Sequence, residues 1–139
     1  MLDIKLKDIM CDHPIKVKDT TSAGSAAHLL LRHQINGILV VKSDDPNQLV
    51  GILTTTDLLR LINGALSQGK QRLHALKKIG FTSVGDIASK KIISLQTTDS
   101  IMKAIALMHR KNIHTIPVYD KNKLVGVIGK HDILNVALI

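Results

Sequence analysis

The sequence predicts an α/β chain of two β-α-β-β-α repeats joined by a linker helix. Two observations carry that prediction. The first is an internal repeat. Gly51-Ile52-Leu53-Thr54-Thr55-Thr56-Asp57 returns 75 positions later as Gly126-Val127-Ile128-Gly129-Lys130-His131-Asp132, and Leu49-Val50-Gly51 returns at the same offset as Leu124-Val125-Gly126. Further upstream the offset is 78. Asp8-Ile9 matches Asp86-Ile87, Ala26 matches Ala104, Arg32 matches Arg110, and Ile35, Ile38 and Val40 match Ile113, Ile116 and Val118. The second observation is that each copy alternates short apolar runs with segments of helical spacing. A length of 139 residues at 45% hydrophobic content suffices for a core without disulfides. Each half alone has the length of a marginal domain, so the two are expected to close a core against each other, whereas a solenoid needs more copies at a shorter period.

Taken in order, Leu2 to Met10 reads as an amphipathic lead-in. His13-Pro14-Ile15-Lys16-Val17 reads as a strand that its proline places at a sheet edge or strand start, with Lys91-Ile92-Ile93-Ser94-Leu95 as counterpart. Thr20, Thr21 and Ser22 offer N-caps to a helix whose apolar stripe is Ala23, Ala26, Ala27 and Leu30. Thr97 to Ser100 do the same for Ile101, Ala104, Ile105 and Met108. Both stripes read as core-facing.

Two hairpins follow these helices. Ile38 to Val41 pairs with Leu49 to Leu53, and Ile116 to Tyr119 with Leu124 to Ile128. The change in offset falls within Lys42 to Gln48, a polar run expected to be a turn, where a length change is tolerated. Asp57 to Ile62 and Asp132 to Leu138 are then helical. Asn63-Gly64 is expected to stop the first of these, and Ala65 to Ile79 to form the linker helix, weakened by Gly69 and ended by Gly80.

Composition narrows the function. The formal charge of +8 favours anionic partners, whether nucleotides, nucleic acid or an acidic protein surface. Phe81 and Tyr119 are the only aromatic residues, too few for a base-stacking platform, so nucleic acid is disfavoured. Lys70, Arg72, Lys77 and Lys78 form the one local basic cluster, either a solvated face or a docking surface for an acidic partner. Cys11 has no internal disulfide partner, and no secretory signal or membrane span is legible, so a cytoplasmic location with no membrane contact is expected.

Chemistry of catalysis is not legible either. The seven histidines include the pairs His28/His33 and His109/His114, but five residues on a helix turn through roughly 140°, which separates their faces. No nucleophile elbow, Walker loop, Cys-x-x-Cys or His-Glu-x-x-His occurs, so no catalytic residue, metal site or required cofactor is assigned and the chain is expected not to be an enzyme. What remains is the repeated turn. A carboxylate accepts two hydrogen bonds at once and so suits a cis-diol, while a helix N-terminus with open amides and a hydroxyl suits phosphate. Thr54-x-x-Asp57 is equally a capping box, contributing about 1 kcal/mol with no ligand.

The paired Gly-hydrophobic-x-Thr/Ser-x-x-Asp motif and the Ile116-Pro117-Val118 strand entry resemble tandem cystathionine β-synthase (CBS) domains, a Bateman module, over nearly the whole chain. The resemblance implies a single module over 1–139, with repeats at 8–64 and 84–139 about a pseudo-twofold axis, and 65–83 linking them. It implies clefts that hold AMP, ADP, ATP or S-adenosylmethionine. Thr54 and Asp57 would act with Lys91, Ile92 and Ile93, and Asp132 with His13, Pro14 and Ile15. Lys130, His131 and His114 could add donors in the second cleft. Gly129 departs from the family's Thr/Ser, which is expected to leave that cleft weaker, vacant or tuned to another ligand.

The function so implied is a regulatory module that alters a partner or its own homodimer. With no effector domain fused in the sequence, an effector protein or the module surface would read the signal. The alternatives are a constitutive interaction or dimerisation module with empty clefts, and a basic nucleic-acid-binding regulator.

Overall fold

Leu6 and Val84 stand 78 residues apart at equivalent positions of the repeat, and each is completely buried, but among the residues of the other repeat. In the computed structural model, which describes residues 3–139, the chain divides into two compact units. One is Ile15–Ile92; the other joins the lead-in ending at Pro14 to Ile93–Ile139. Each unit is therefore completed by the opening segment of the other repeat. The lead-in expected from Leu2 begins outside the described residues.

In the first unit, β1 (Lys16–Lys18) runs parallel to β2 (Gly37–Lys42), which pairs antiparallel with β3 (Asp45–Thr54). The parallel pair needs a crossover, supplied by α1 (Ala23–His33). Ser22 is its N-cap, accepting the Ser25 N–H at 3.2 Å, and Gln34 ends it in the left-handed region with φ 53°. The Ile35 N–H then returns to the Leu30 carbonyl at 3.1 Å, a Schellman-type closure that also seats Ile35 on the core. That core gathers Val17, Ala26, Leu30, Ile38, Val40, Leu53, Val84 and Ala88.

The second unit repeats the design. β4 (Leu95–Gln96) is parallel to β5 (Thr115–Asp120), which pairs antiparallel with β6 (Lys123–Gly129). The crossover is α5 (Ile101–Lys111), capped by Ser100 and ended by Asn112 at φ 51°. Leu6, Leu95, Ile101, Ala104, Ile116, Val118, Ile128 and Ile133 form its core. Ile105 is 36% exposed, so the stripe expected to be core is buried through Ile101 and Ala104 and half-wet beyond them.

Four sequence expectations are corrected. The first strands are shorter than His13–Val17 and Lys91–Leu95, starting at Lys16 and Leu95. Pro14 has no N–H to give a ladder, and Cys11 and Ser89 instead make single bridges to Val127 and Ile52. The run Lys42 to Gln48 is not all turn: β3 already starts at Asp45, and Lys42 faces Asp45 directly. The ladder steps from Val41 opposite Leu49 to Lys42 opposite Asp45, so Pro46, Asn47 and Gln48 bulge out. The second hairpin steps from Tyr119 opposite Leu124 to Asp120 opposite Lys123 with no such excess. That bulge is the three-residue change in offset.

The remaining corrections concern the connecting helices. α2 (Thr55–Leu66) passes through Asn63-Gly64, its last turn held by packing that buries Ala65, which offsets most of the roughly 1 kcal/mol that a helical glycine costs. The linker is not one helix from Ala65. It breaks at Gly69, whose φ of +61° is left-handed, passes a 3-10 turn at Gly69–Gln71, and resumes as α3 (Arg72–Phe81), one residue past the expected stop at Gly80. A short α4 (Val84–Ile87) then delivers Val84 to the core. α6 (Lys130–Leu138) closes the second unit.

Candidate functional site

Each unit ends its hairpin in the same way: the last strand runs without a loop into a helix, and a carboxylate sits at the helix's third residue. In the first unit Thr54, extended at φ −111°, is the N-cap of α2. Its Oγ1 accepts the Asp57 N–H at 3.1 Å, and Asp57 Oδ2 accepts the Thr54 N–H at 3.0 Å. The capping box read from the spacing is thus formed. The Thr55 amide donates to the Asn36 carbonyl at 2.8 Å, and the amide of Thr56 has no partner among the described residues. Asp57 is half-buried, and its Oδ1 faces Arg60 Nη1 at 3.4 Å, an exposed ion pair that solvent screens.

In the second unit Gly129 takes the N-cap position, with φ −111° and ψ 167°. Having no side chain, it forms only half of the box: Asp132 Oδ2 accepts the Gly129 N–H at 2.7 Å. The amides of Lys130, His131 and Asp132 and the second oxygen of Asp132 are left without partners among the described residues. The His114 carbonyl lies 3.8 Å from where a Gly129 Cβ would stand, and Thr115 pairs with Gly129, so the β5 entry flanks this turn. The side chains of His114, Lys130 and His131 are exposed and that of Asp132 is half-buried.

The first motif glycines position the neighbouring segment. Ile52 exchanges both backbone hydrogen bonds with Ser89, and a Cβ on Gly51 would stand 2.6 Å from the Ser89 carbonyl and 3.0 Å from Ala88 Cβ. Val127 does the same with Cys11, and a Cβ on Gly126 would meet Met10 Sδ at 2.5 Å and the Cys11 carbonyl at 2.9 Å. Glycine is what lets these segments lie against the strands that lead to the two turns. Pro117 fits the second sheet for the same reason: it stands opposite Val127, whose N–H and carbonyl are turned to Cys11 and ask nothing of it.

Of the residues expected to act together, the structure joins Thr54 with Asp57, and His114, Lys130 and His131 with Asp132 around one helix start. Lys91, exposed, and Ile92, half-buried, share a unit with Thr54 and Asp57 on the segment that leaves Ser89, but make no hydrogen bond to either. His13 and Pro14 share a unit with Asp132; His13 Nδ1 bonds its neighbour Asp12 at 2.7 Å, both side chains exposed. Ile93 and Ile15 fall in the units opposite to their expected partners. Sequence reasoning missed Asn36 and Arg60. Asn36 had a signal, since the 78-residue offset puts it at the place of His114; Arg60 had only its helical spacing from Asp57. Among the described residues no three His, Cys, Asp or Glu side chains gather to hold a metal ion, and no helix is long and apolar enough to cross a membrane.

Comparison with known proteins matches this geometry. The family model described as CBS domain matches residues 6–64 and 84–139. A curated homoserine O-acetyltransferase of Methanocorpusculum labreanum is 28% identical over 124 residues, covering 88% of this chain. The chain spans only 22% of that relative's length and 23% of the next one's. Among solved structures, the CBS domain pair of protein MJ0100, crystallised with 5-methylthioadenosine and S-adenosyl-L-methionine, is 25% identical with a TM-score of 0.75, covering 96% of this chain and 94% of that one. CBSX2, crystallised with AMP, is 25% identical with a TM-score of 0.74 and covers 96% of each chain. With two matched repeats, this chain belongs to the CBS domain family.

Proposed function

We propose that the chain is a regulatory module that binds an adenosine-containing ligand, AMP, ADP, ATP or S-adenosylmethionine, at the strand-to-helix turns of its two units. The observation that carries this reading is that each turn sets a half-buried carboxylate beside helix-start amides left without partners among the described residues, that of Thr56 at α2 and those of Lys130, His131 and Asp132 at α6. The carboxylate is an acceptor for ribose hydroxyls, and the amides with the Thr54 hydroxyl are donors for phosphate or carboxylate. Likeness to a CBS pair that holds methylthioadenosine and S-adenosylmethionine, and to one that holds AMP, supports adenosine as the common part. Lys91, Ile92 and Ile93, and His13, Pro14 and Ile15, are the segments that would line adenine, between aliphatic side chains in place of aromatic ones.

We rank the two turns in the opposite sense to the one Gly129 suggests in the sequence. At α2 one carboxylate oxygen is taken by the cap and the other faces Arg60. At α6 three amides and one oxygen are open, so Asp132 with Lys130, His131 and His114 is the better supplied site. The ligand's effect is on a partner protein or on a homodimer, formed through the apolar faces that α2 and α6 leave exposed, Leu59 at 65% and its counterpart Leu134 at 47%. It acts only through different affinity for two arrangements of the chain.

A constitutive module has one observation in its favour: the Thr54/Asp57 box is complete without ligand. A thermal-shift screen separates the readings. Ligand at 100 times its dissociation constant adds about 2.7 kcal/mol, a shift of several degrees. Flat curves with AMP, ADP, ATP and S-adenosylmethionine would leave the constitutive module standing.

A further inference from the structure

From Leu58 to Gly85 the chain contains no acidic residue, yet it carries Arg60, Lys70, Arg72, Lys77 and Lys78. This stretch alone supplies five units of a net charge of +8. It folds as α2, the 3-10 turn and α3, and between the two helices lies a cavity of about 380 Å³. Leu61, Ala65, Ala75 and Ile79 are among its apolar lining, with Arg60 and Lys78 lining it too. On α3, Leu73, Lys77 and Phe81 follow at i, i+4 and i+8 on one exposed face, Leu73 at 69% and Phe81 at 85% exposure. The cavity residues Leu61, Gly64 and Ala65 occupy a face of α2 roughly 140° from that of Leu59, Ile62 and Leu66, so a partner here and a copy of the chain on the other face meet different sides of the helix.

We infer that the α2–α3 cavity and its basic rim dock an acidic segment of a partner protein, with one large apolar side chain held in the cavity and flanking carboxylates on Arg60 and Lys78. Charge complementarity selects an anionic partner. The concavity selects a peptide over a bilayer, because a flat lipid surface meets Leu73 and Phe81 but leaves the cavity empty. It also selects a peptide over nucleic acid, since a base needs an aromatic face to stack on and the cavity walls are aliphatic. An apolar anchor in a pocket with charged rim contacts is the usual energetic centre of such an interface. The site is separate from the carboxylate turns, although Arg60 also reaches Asp57 Oδ1.

The test is fluorescence anisotropy of the full chain with labelled short peptides bearing a central Leu or Phe flanked by glutamates, against matched peptides with glutamine flanks or a central serine. The acidic, apolar-centred peptides are expected to bind, less tightly as salt rises. Ala75→Met, which narrows the cavity without altering charge, and Lys78→Glu, which reverses the rim, are each expected to weaken binding on the order of tenfold, about 1.4 kcal/mol. Circular dichroism of both variants establishes that they are folded. Glutamate peptides binding no better than their glutamine counterparts would overturn the inference. So would tighter capture by phosphatidylserine vesicles or by an oligonucleotide that survives Ala75→Met.

Discussion

Ile52 and Ser89, 37 positions apart, exchange both of their backbone hydrogen bonds, at 3.0 and 2.9 Å, outside any regular strand of the second partner. Cys11 and Val127 repeat the exchange at 2.9 and 3.0 Å. Each bridge ties the opening segment of one repeat to the last strand of the other, immediately upstream of a carboxylate turn. The close approach is possible because the residue before each bridged strand position is glycine.

Gly51→Ala is expected to destabilise the chain by about 1–3 kcal/mol, because the Cβ would meet a backbone carbonyl that cannot rotate away. Gly64→Ala is the control. Nothing stands within 4 Å of its Cβ, and in a helix alanine is favoured by about 1 kcal/mol. Urea denaturation of the two variants should move the midpoint in opposite directions.

Leu6→Ala removes a fully buried side chain from the core of β4–β6 and should cost about 2–5 kcal/mol. Hydrogen exchange should show the loss in Leu95–Ile133. Val84→Ala should cost less, its side chain being smaller, and loosen Val17–Leu53. Protection lost from Val17–Leu53 in Leu6→Ala, with β4–β6 untouched, would contradict the exchange of lead-in segments.

Thr54→Ala deletes the N-cap of α2 and is expected to cost about 1 kcal/mol in the absence of any ligand. Gly129→Ser tests the converse at α6. A serine there has a hydroxyl to offer the Asp132 amide, with φ −111° admissible to any residue, and should raise stability by about a few tenths of a kcal/mol, read as a higher urea midpoint.

The fold was legible because its signals are local and doubled. Ser22 and Ser100 cap the helices whose apolar stripes follow them, and the register of Ile38 against Leu53 repeats as Ile116 against Ile128. What misled was also local. Asn63-Gly64 carries a stop signal that helix packing at Ala65 overrides, and Lys42 to Gln48 holds both the Ser43-Asp44 turn and a polar bulge on the strand that follows it. The carboxylates and their helix starts were legible as a motif. The hydrogen-bond inventory around them was not, since it turns on which amides a neighbouring carbonyl such as Asn36 happens to satisfy. On the proposed reading that inventory favours the Asp132 turn, where Gly129 alone favours the other.

The most direct measurement is isothermal titration of AMP and of S-adenosylmethionine into the wild-type chain, Asp57→Asn, Asp132→Asn and the double variant, each first shown to be folded. Asparagine keeps the shape of the carboxylate and removes its charge and one acceptor. The account predicts heat with the wild type, a larger loss of affinity in Asp132→Asn than in Asp57→Asn, and none of the signal left in the double variant. Undiminished binding by the double variant, or no heat from the wild type with either compound, would contradict it.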